Sequence, residues 1–311
     1  MRLFALTLAA GVLVTFVAGA CSGDDDGSSS GNASPDGSIP DGQSSSGSNG
    51  QSSGTSGSSG DPPQAYVKLS NESMDVNGEQ RSYILGLPTD YDANKKYPLV
   101  MVFHGNPGSA DGMSKTLPFD GASKKDAILA YPDGIGNNWD LSTTPGSNKD
   151  FAFIKVLAAE IAKKYNVDTA RVFGSGYSGG GFFLNQLVCH ESNVFKAIAS
   201  HSGGGPFNMD GESAPTDQCH PCNGGSVPTI HTHGKQDNEV GPMNGYYAAQ
   251  CWAEHNGCSD TDPNNWGDVA PAPCKKAAAC SQPVTLCWVE GLGHGQWSEG
   301  ANVAWSFFNS L

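Results

Sequence analysis

The chain has 311 residues and a formal net charge of −14. An acidic surface without a basic stripe repels phosphate backbones, which sets nucleic acid aside as a partner. No internal repeat divides the sequence.

Met1-Arg2 gives a short positive start, and residues 3–20 are uncharged and mostly apolar, ending in Ala18-Gly19-Ala20. Such a run predicts a secretory signal peptide over 1–20, too short and wrongly flanked for a stable membrane span. Cys21 follows at once, as in a bacterial lipoprotein signal, where the cysteine is lipidated and becomes the mature N-terminus. Parity agrees: nine cysteines less Cys21 leave eight, an even set suited to disulfides in an oxidising compartment. Residues 21–63 are almost entirely Ser, Gly, Asn, Gln, Asp and Pro, with no Lys, Arg or aromatic residue. They predict a disordered, lipid-anchored linker, since nothing there can be buried to offset chain entropy. Some 40 residues of this kind reach roughly 35 Å. The remainder, 64–311, has the size of one α/β domain.

Within that domain, 65–69 and 81–87 read as short extended segments. Residues 98–103 form an apolar run ending in His104-Gly105, typical of a strand buried on both faces. Residues 126–131 form a second such run, closed by Pro132-Asp133-Gly134. Phe151, Ile154, Leu157, Ala158, Ile161 and Tyr165 recur at helical spacing. Residues 171–173 enter a glycine-rich turn and 182–189 leave it as a helix. Further strands read 197–199, 227–233 and 284–290, and a helix at 301–308 closes the chain. Strands alternating with helices predict an α/β fold, a mostly parallel central sheet with helices on both faces.

The turn carries two motifs at once. Gly174-Ser175-Gly176-Tyr177-Ser178-Gly179 fits the dinucleotide fingerprint, and Gly176-Tyr177-Ser178-Gly179-Gly180 fits the nucleophile elbow G-x-S-x-G. The first needs an acidic residue about 20 positions on to hold a ribose. That stretch, 197–202, contains no carboxylate. The second needs a histidine to take the serine's proton and a carboxylate to orient it, in the chain order serine, acid, histidine. Residues 227–234 empty into Lys235-Gln236-Asp237, and residues 284–290 empty into Gly291-Leu292-Gly293-His294. Both partners therefore fall just past strand C-termini, where sites in such sheets assemble. Ser178, Asp237 and His294 are the expected nucleophile, acid and base, a chemistry that requires no cofactor or metal. The oxyanion amides are expected from Gly179 and from Asn106, with Gly105 as the fallback, because Pro107 has no N–H.

These landmarks together resemble the secreted esterases of the α/β-hydrolase superfamily, including feruloyl esterases and polyhydroxybutyrate-depolymerase-like lipoproteins. The matching pieces are Phe103-His104-Gly105, Tyr131-Pro132-Asp133-Gly134 followed by Trp139, the stretch 176–189, His233 to Asp237, and Gly291 to His294. The resemblance covers roughly residues 75–311. It implies the same Ser178, Asp237 and His294 triad and favours feruloyl esters of plant polysaccharide. After His294, Gly295-Gln296-Trp297 replaces the tryptophan-proline of that group. Polyester depolymerisation and acetylxylan deacetylation stay open as alternatives, as does a non-catalytic surface binding protein on the same fold. The expected protein is an exported monomer that meets a membrane only through its lipid.

Other features have plainer readings. Cys219-His220-Pro221-Cys222 fits C-x-x-C, yet without a second ligand pair it reads as structural. Cys189, Cys219, Cys222, Cys251, Cys258, Cys274, Cys280 and Cys287 are disulfide candidates of open connectivity. His231 and His233 share one strand face and read as packed residues leading toward Asp237. His104 reads as a loop-shaping residue, and Asp133, a rival to Asp237 as the acid, precedes Ser178, breaks the chain order and reads as part of a turn. Trp139 can line the substrate cleft or belong to the core, and Tyr177 can contact substrate or pack at the elbow.

Overall fold

The computed structural model describes residues 66–142, 146–191, 194–207 and 219–311. The expected signal peptide, Cys21 and the linker lie outside the described residues. Ten strands form one sheet: β1 (Val67–Val76), β2 (Glu79–Pro88), β3 (Tyr97–Phe103), β4 (Ile128–Pro132), β5 (Val167–Tyr177), β6 (Ala197–His201), β7 (Thr229–Gly234), β8 (Gly267–Asp268), β9 (Cys274–Lys276) and β10 (Val284–Val289). Their order across the sheet is β1-β2-β4-β3-β5-β6-β7-β10-β9-β8. The run from β4 to β10 is parallel throughout, and antiparallel strands extend both edges.

The continuous apolar run of β3 follows from its central place. Leu99, Met101 and Phe103 point into one core, with α3 (Lys149–Lys164), α4 (Gly179–His190) and α5 (Pro242–His255) supplying the facing residues. Val100 and Val102 point into the other, covered by α1 (Ala110–Thr116), α2 (Phe119–Ser123) and α6 (Gly300–Asn309). A strand covered on both faces cannot alternate apolar with polar residues. The mostly parallel sheet with helices on both faces is therefore the fold that the sequence predicts. β5 is longer than the expected 171–173, and α1, α2, α5, β8 and β9 had no counterpart in the sequence reading.

Four disulfides pair the eight domain cysteines: Cys189–Cys222, Cys219–Cys251, Cys258–Cys280 and Cys274–Cys287. The two cysteines of the C-x-x-C motif thus take different partners. One bonds the end of α4, behind the glycine-rich turn, and the other bonds α5, which follows the Asp237 loop. In the chain-entropy account, loops of this length each stabilise the fold by about 3–4 kcal/mol.

Candidate active site

Ser178 sits between β5 and α4 with φ 50° and ψ −120°. That left-handed backbone is costly for a residue with a β-carbon, and it lifts the side chain off the strand's C-terminal end. The turn is possible because of its glycines. A β-carbon on Gly176 would lie 2.3 Å from the Gly180 carbonyl oxygen, and one on Gly180 would lie 2.4 Å from the His104 carbonyl oxygen.

The C-terminal loops of β7 and β10 bring the partners to it. His294 Nε2 is 2.9 Å from Ser178 Oγ, and His294 Nδ1 is 2.8 Å from Asp237 Oδ2. Asp237 is 1% exposed, and its Oδ1 accepts the backbone N–H groups of Glu239 (3.0 Å) and Val240 (2.9 Å). Burial works against its charge, but the hydrogen bonds from His294 and those two amides outweigh it and hold the carboxyl below the usual range. Asp237 is thus set to orient the Nδ1–H tautomer of His294, which leaves Nε2 as an acceptor facing the serine hydroxyl. Buried His233 places Nε2 3.1 Å from the same Asp237 Oδ2, though at an angle that makes no hydrogen bond. Burial keeps His233 below the usual histidine range despite the neighbouring charge.

The loop after β3 borders the nucleophile. A β-carbon on Gly179 would lie 2.5 Å from Asn106 Cγ, so the two residues expected to supply the oxyanion amides are neighbours. Gly179 is the first residue of α4, where an N–H has no intrahelical partner. Asn106 is fixed by its side chain, whose Oδ1 accepts from Trp139 N–H (3.0 Å) and whose Nδ2 donates to the Trp139 carbonyl (3.3 Å). Trp139 is 4% exposed, donates its indole N–H to the His104 carbonyl (2.8 Å) and stacks on Phe183. It packs in the core and braces the Asn106 loop. His104 completes that brace. Its Nδ1–H donates to the Gly105 carbonyl (2.7 Å) and its Nε2 accepts the Gly134 N–H (3.0 Å), a network that assigns the neutral tautomer. Burial lowers its pKa accordingly. Asp133, the rival acid, accepts from the Ala110 N–H and from Ser82 Oγ.

Tyr177 stands with its ring centroid 5.3 Å from that of His294 and its hydroxyl 3.5 Å from the His294 carbonyl. It also walls an open cleft of about 520 Å³ with Gly105, Pro107, Met113, Thr116 and Gln296. Among the described residues, no Asp, Glu, Lys or Arg lines this cleft. Ser202 had no signal in the sequence, because it lies in no motif; only the folded loops bring its hydroxyl to the carbonyl of Gly295, next to His294.

No protein-family model matches the chain. A curated relative, a probable feruloyl esterase C of Aspergillus niger, is 27% identical over 258 residues, 77% of this chain and 87% of the relative. Feruloyl esterase D of Neurospora crassa is 26% identical over 236 residues, 70% of this chain and 74% of its own. Among solved structures, an acetyl xylan esterase from Aspergillus awamori superposes with a TM-score of 0.63 at 19% identity, covering 78% of this chain and 99% of that one. A feruloyl esterase module from Clostridium thermocellum gives 0.53 at 13% identity, over 80% and 88% of the two chains. With this fold and these relatives, the chain is a carboxylic ester hydrolase of the α/β-hydrolase fold, related to the feruloyl esterases.

Proposed function

We propose that the protein hydrolyses esters through a Ser178–His294–Asp237 triad and an acyl-enzyme, with hydroxycinnamoyl esters of plant polysaccharide as its substrates. The carrying observation is the unbroken line from Ser178 Oγ through His294 to Asp237, at 2.9 and 2.8 Å, on a strained elbow. His294 Nε2 takes the hydroxyl proton as Ser178 Oγ attacks the ester carbonyl, and Asp237 stabilises the imidazolium. The Gly179 and Asn106 amides hold the oxyanion as it forms. His294 then gives the proton to the departing alcohol, and water resolves the acyl-enzyme by the same path. The substrate reading is supported by the names of the relatives and by the cleft beside Ser178. Tyr177, Met113 and Pro107 offer flat and polarisable surfaces to an aromatic acyl group, and among the described residues no fixed charge lines the cleft to attract an ionic one.

The four disulfides suit an oxidising compartment. The protein on this reading is exported, with residues 1–20 removed, Cys21 lipidated and 21–63 spacing the catalytic domain from a membrane. Turnover of methyl ferulate, p-nitrophenyl acetate and a polyester film, by wild type and Ser178→Ala, tests the proposal. Methyl ferulate is expected to give the highest kcat/KM, with kcat falling on the order of 10⁶-fold in the variant. A Ser178→Ala enzyme that keeps its activity removes the triad, and a preference for polyester over ferulate removes the substrate reading.

A further inference from the structure

We propose that Ser202 is a positioning residue that holds the nucleophile and the base of the triad against one another. The proposal rests on the triad reading given above.

Ser202 follows β6 directly, as Ser178 follows β5. The two strands are parallel, and their last registered pair is Tyr177 with His201, so Ser178 and Ser202 stand one step beyond it, side by side. Both leave their strands in the left-handed region, Ser178 with φ 50° and Ser202 with φ 48°. The elbow strain at Ser178 has an evident use, which is to expose a nucleophile. Ser202 is fully buried and attacks nothing, so its strain calls for another account.

Its hydrogen bonds supply one. The Ser178 N–H donates to the His201 carbonyl at 2.9 Å. One residue on, Ser202 Oγ donates at 2.6 Å to the carbonyl of Gly295, the residue after His294. The dipeptide 201–202 thus grips both sides of the Ser178–His294 hydrogen bond, one through its backbone and the other through a side chain. The dipeptide is itself anchored. Ser202 N–H donates to the Thr232 carbonyl at 2.8 Å, and the His201 ring bridges Ser175 Oγ (2.9 Å) and Thr232 Oγ1 (2.8 Å). A chain of fixed groups across β5, β6 and β7 therefore ends on the loop that carries the base.

The choice of residue type points the same way. Glycine would adopt this backbone without steric penalty. What serine adds is a hydroxyl, and the bond that hydroxyl makes is the one to Gly295. In an extended continuation of β6 the side chain would project along the sheet's alternation; the left-handed turn redirects it to the His294 loop. Small misplacements of a base are costly, since a shift of about 1 Å can slow a reaction by about 10².

The test uses full-length wild type, Ser202→Gly, Ser202→Ala and Ser178→Ala, measured with p-nitrophenyl acetate, a fluorophosphonate probe and thermal unfolding. Ser202→Gly relieves the backbone strain, so it folds at least as stably as Ser202→Ala. Its kcat is expected to fall by about 10- to 100-fold with KM unchanged, and the rate of probe labelling to fall in parallel. Loss of a purely structural hydrogen bond would lower Tm and leave kcat per folded enzyme alone. The two readings fail differently. Activity surviving in Ser178→Ala removes the triad and this assignment with it, whereas an inactive Ser178→Ala beside a Ser202→Gly enzyme of wild-type kcat and labelling rate removes the Ser202 assignment alone.

Discussion

Asp237 and His294 meet through a single carboxylate oxygen: Oδ2 is 2.8 Å from His294 Nδ1, while Oδ1 is taken by two backbone amides of its own loop. The division matters because each oxygen has a separate task. The amides fix the plane of the carboxylate, and the plane fixes the imidazole. The only other acid raised as a triad candidate, Asp133, has both oxygens engaged elsewhere, by the Ala110 N–H and the Ser82 hydroxyl.

Asp237→Asn is therefore expected to fold normally and to lose up to about 10⁴ in kcat, because an amide can present an N–H to Nδ1 and stabilise the wrong tautomer. Asp133→Asn keeps one acceptor for the Ala110 amide and should cost at most about 1–1.5 kcal/mol of stability, with turnover close to wild type. Steady-state kinetics and thermal unfolding of both variants check this. An inactive Asp133→Asn beside an active Asp237→Asn would reverse the assignment of the acid.

The parts legible in the sequence were those where one local rule dominates. β3 reads as a strand because both of its faces are buried. The elbow reads as an elbow because the strand-to-helix turn needs glycines at fixed offsets, and Asp237 and His294 read as its partners because each follows an apolar strand. α5 was hidden for the opposite reason. Gly245 in its first turns looks like a loop signal, yet a β-carbon there would lie 2.4 Å from His233 Cβ. Tertiary contact overrides helix propensity at that point. Trp139 kept two readings because nothing in a sequence says which way an aromatic ring faces. The side chains it meets, Phe103, His104 and Phe183, belong to β3, the loop that follows it, and α4. Ser202 was invisible for the same reason, since its partner is 93 residues away.

The proposed tether gives a prediction that is independent of the catalytic site. Residues 1–20 have the composition of a cleavable signal, and Cys21 stands where a lipobox places its modified residue. Two or more acyl chains anchor a protein stably to a bilayer, and none leaves it free. Cys21→Ser is therefore expected to move the protein from the membrane fraction to the soluble fraction with unchanged specific activity. Fractionation of cells expressing either form measures this, and a serine variant that still sediments with membranes would refute lipidation at Cys21.

Two buried histidines set an acid limit on the fold. Burial pushes His231 down to about 3 and His201 down to about 4, each from an ordinary value near 6.5. His233, on the same strand face as His231, is lowered as well, and it adds to the pressure on His231 to stay neutral. Between the folded and unfolded values the unfolded chain takes up protons that the folded chain refuses. Stability is thus fully present above about pH 6.5 and is lost as the pH falls toward 4. Each histidine contributes about 1.4 kcal/mol per pH unit in that window, so the pair contributes about 3 kcal/mol per unit. Among the described residues, neither ring nitrogen of His231 has a hydrogen-bond partner, so its replacement breaks no bond. His231→Leu should accordingly match wild-type stability near pH 7.5 and lose about 1.4 kcal/mol per unit less between pH 6 and 4. Denaturant unfolding of both forms across pH 4–8 measures the slopes. Equal slopes would mean that His231 is not buried in the neutral state.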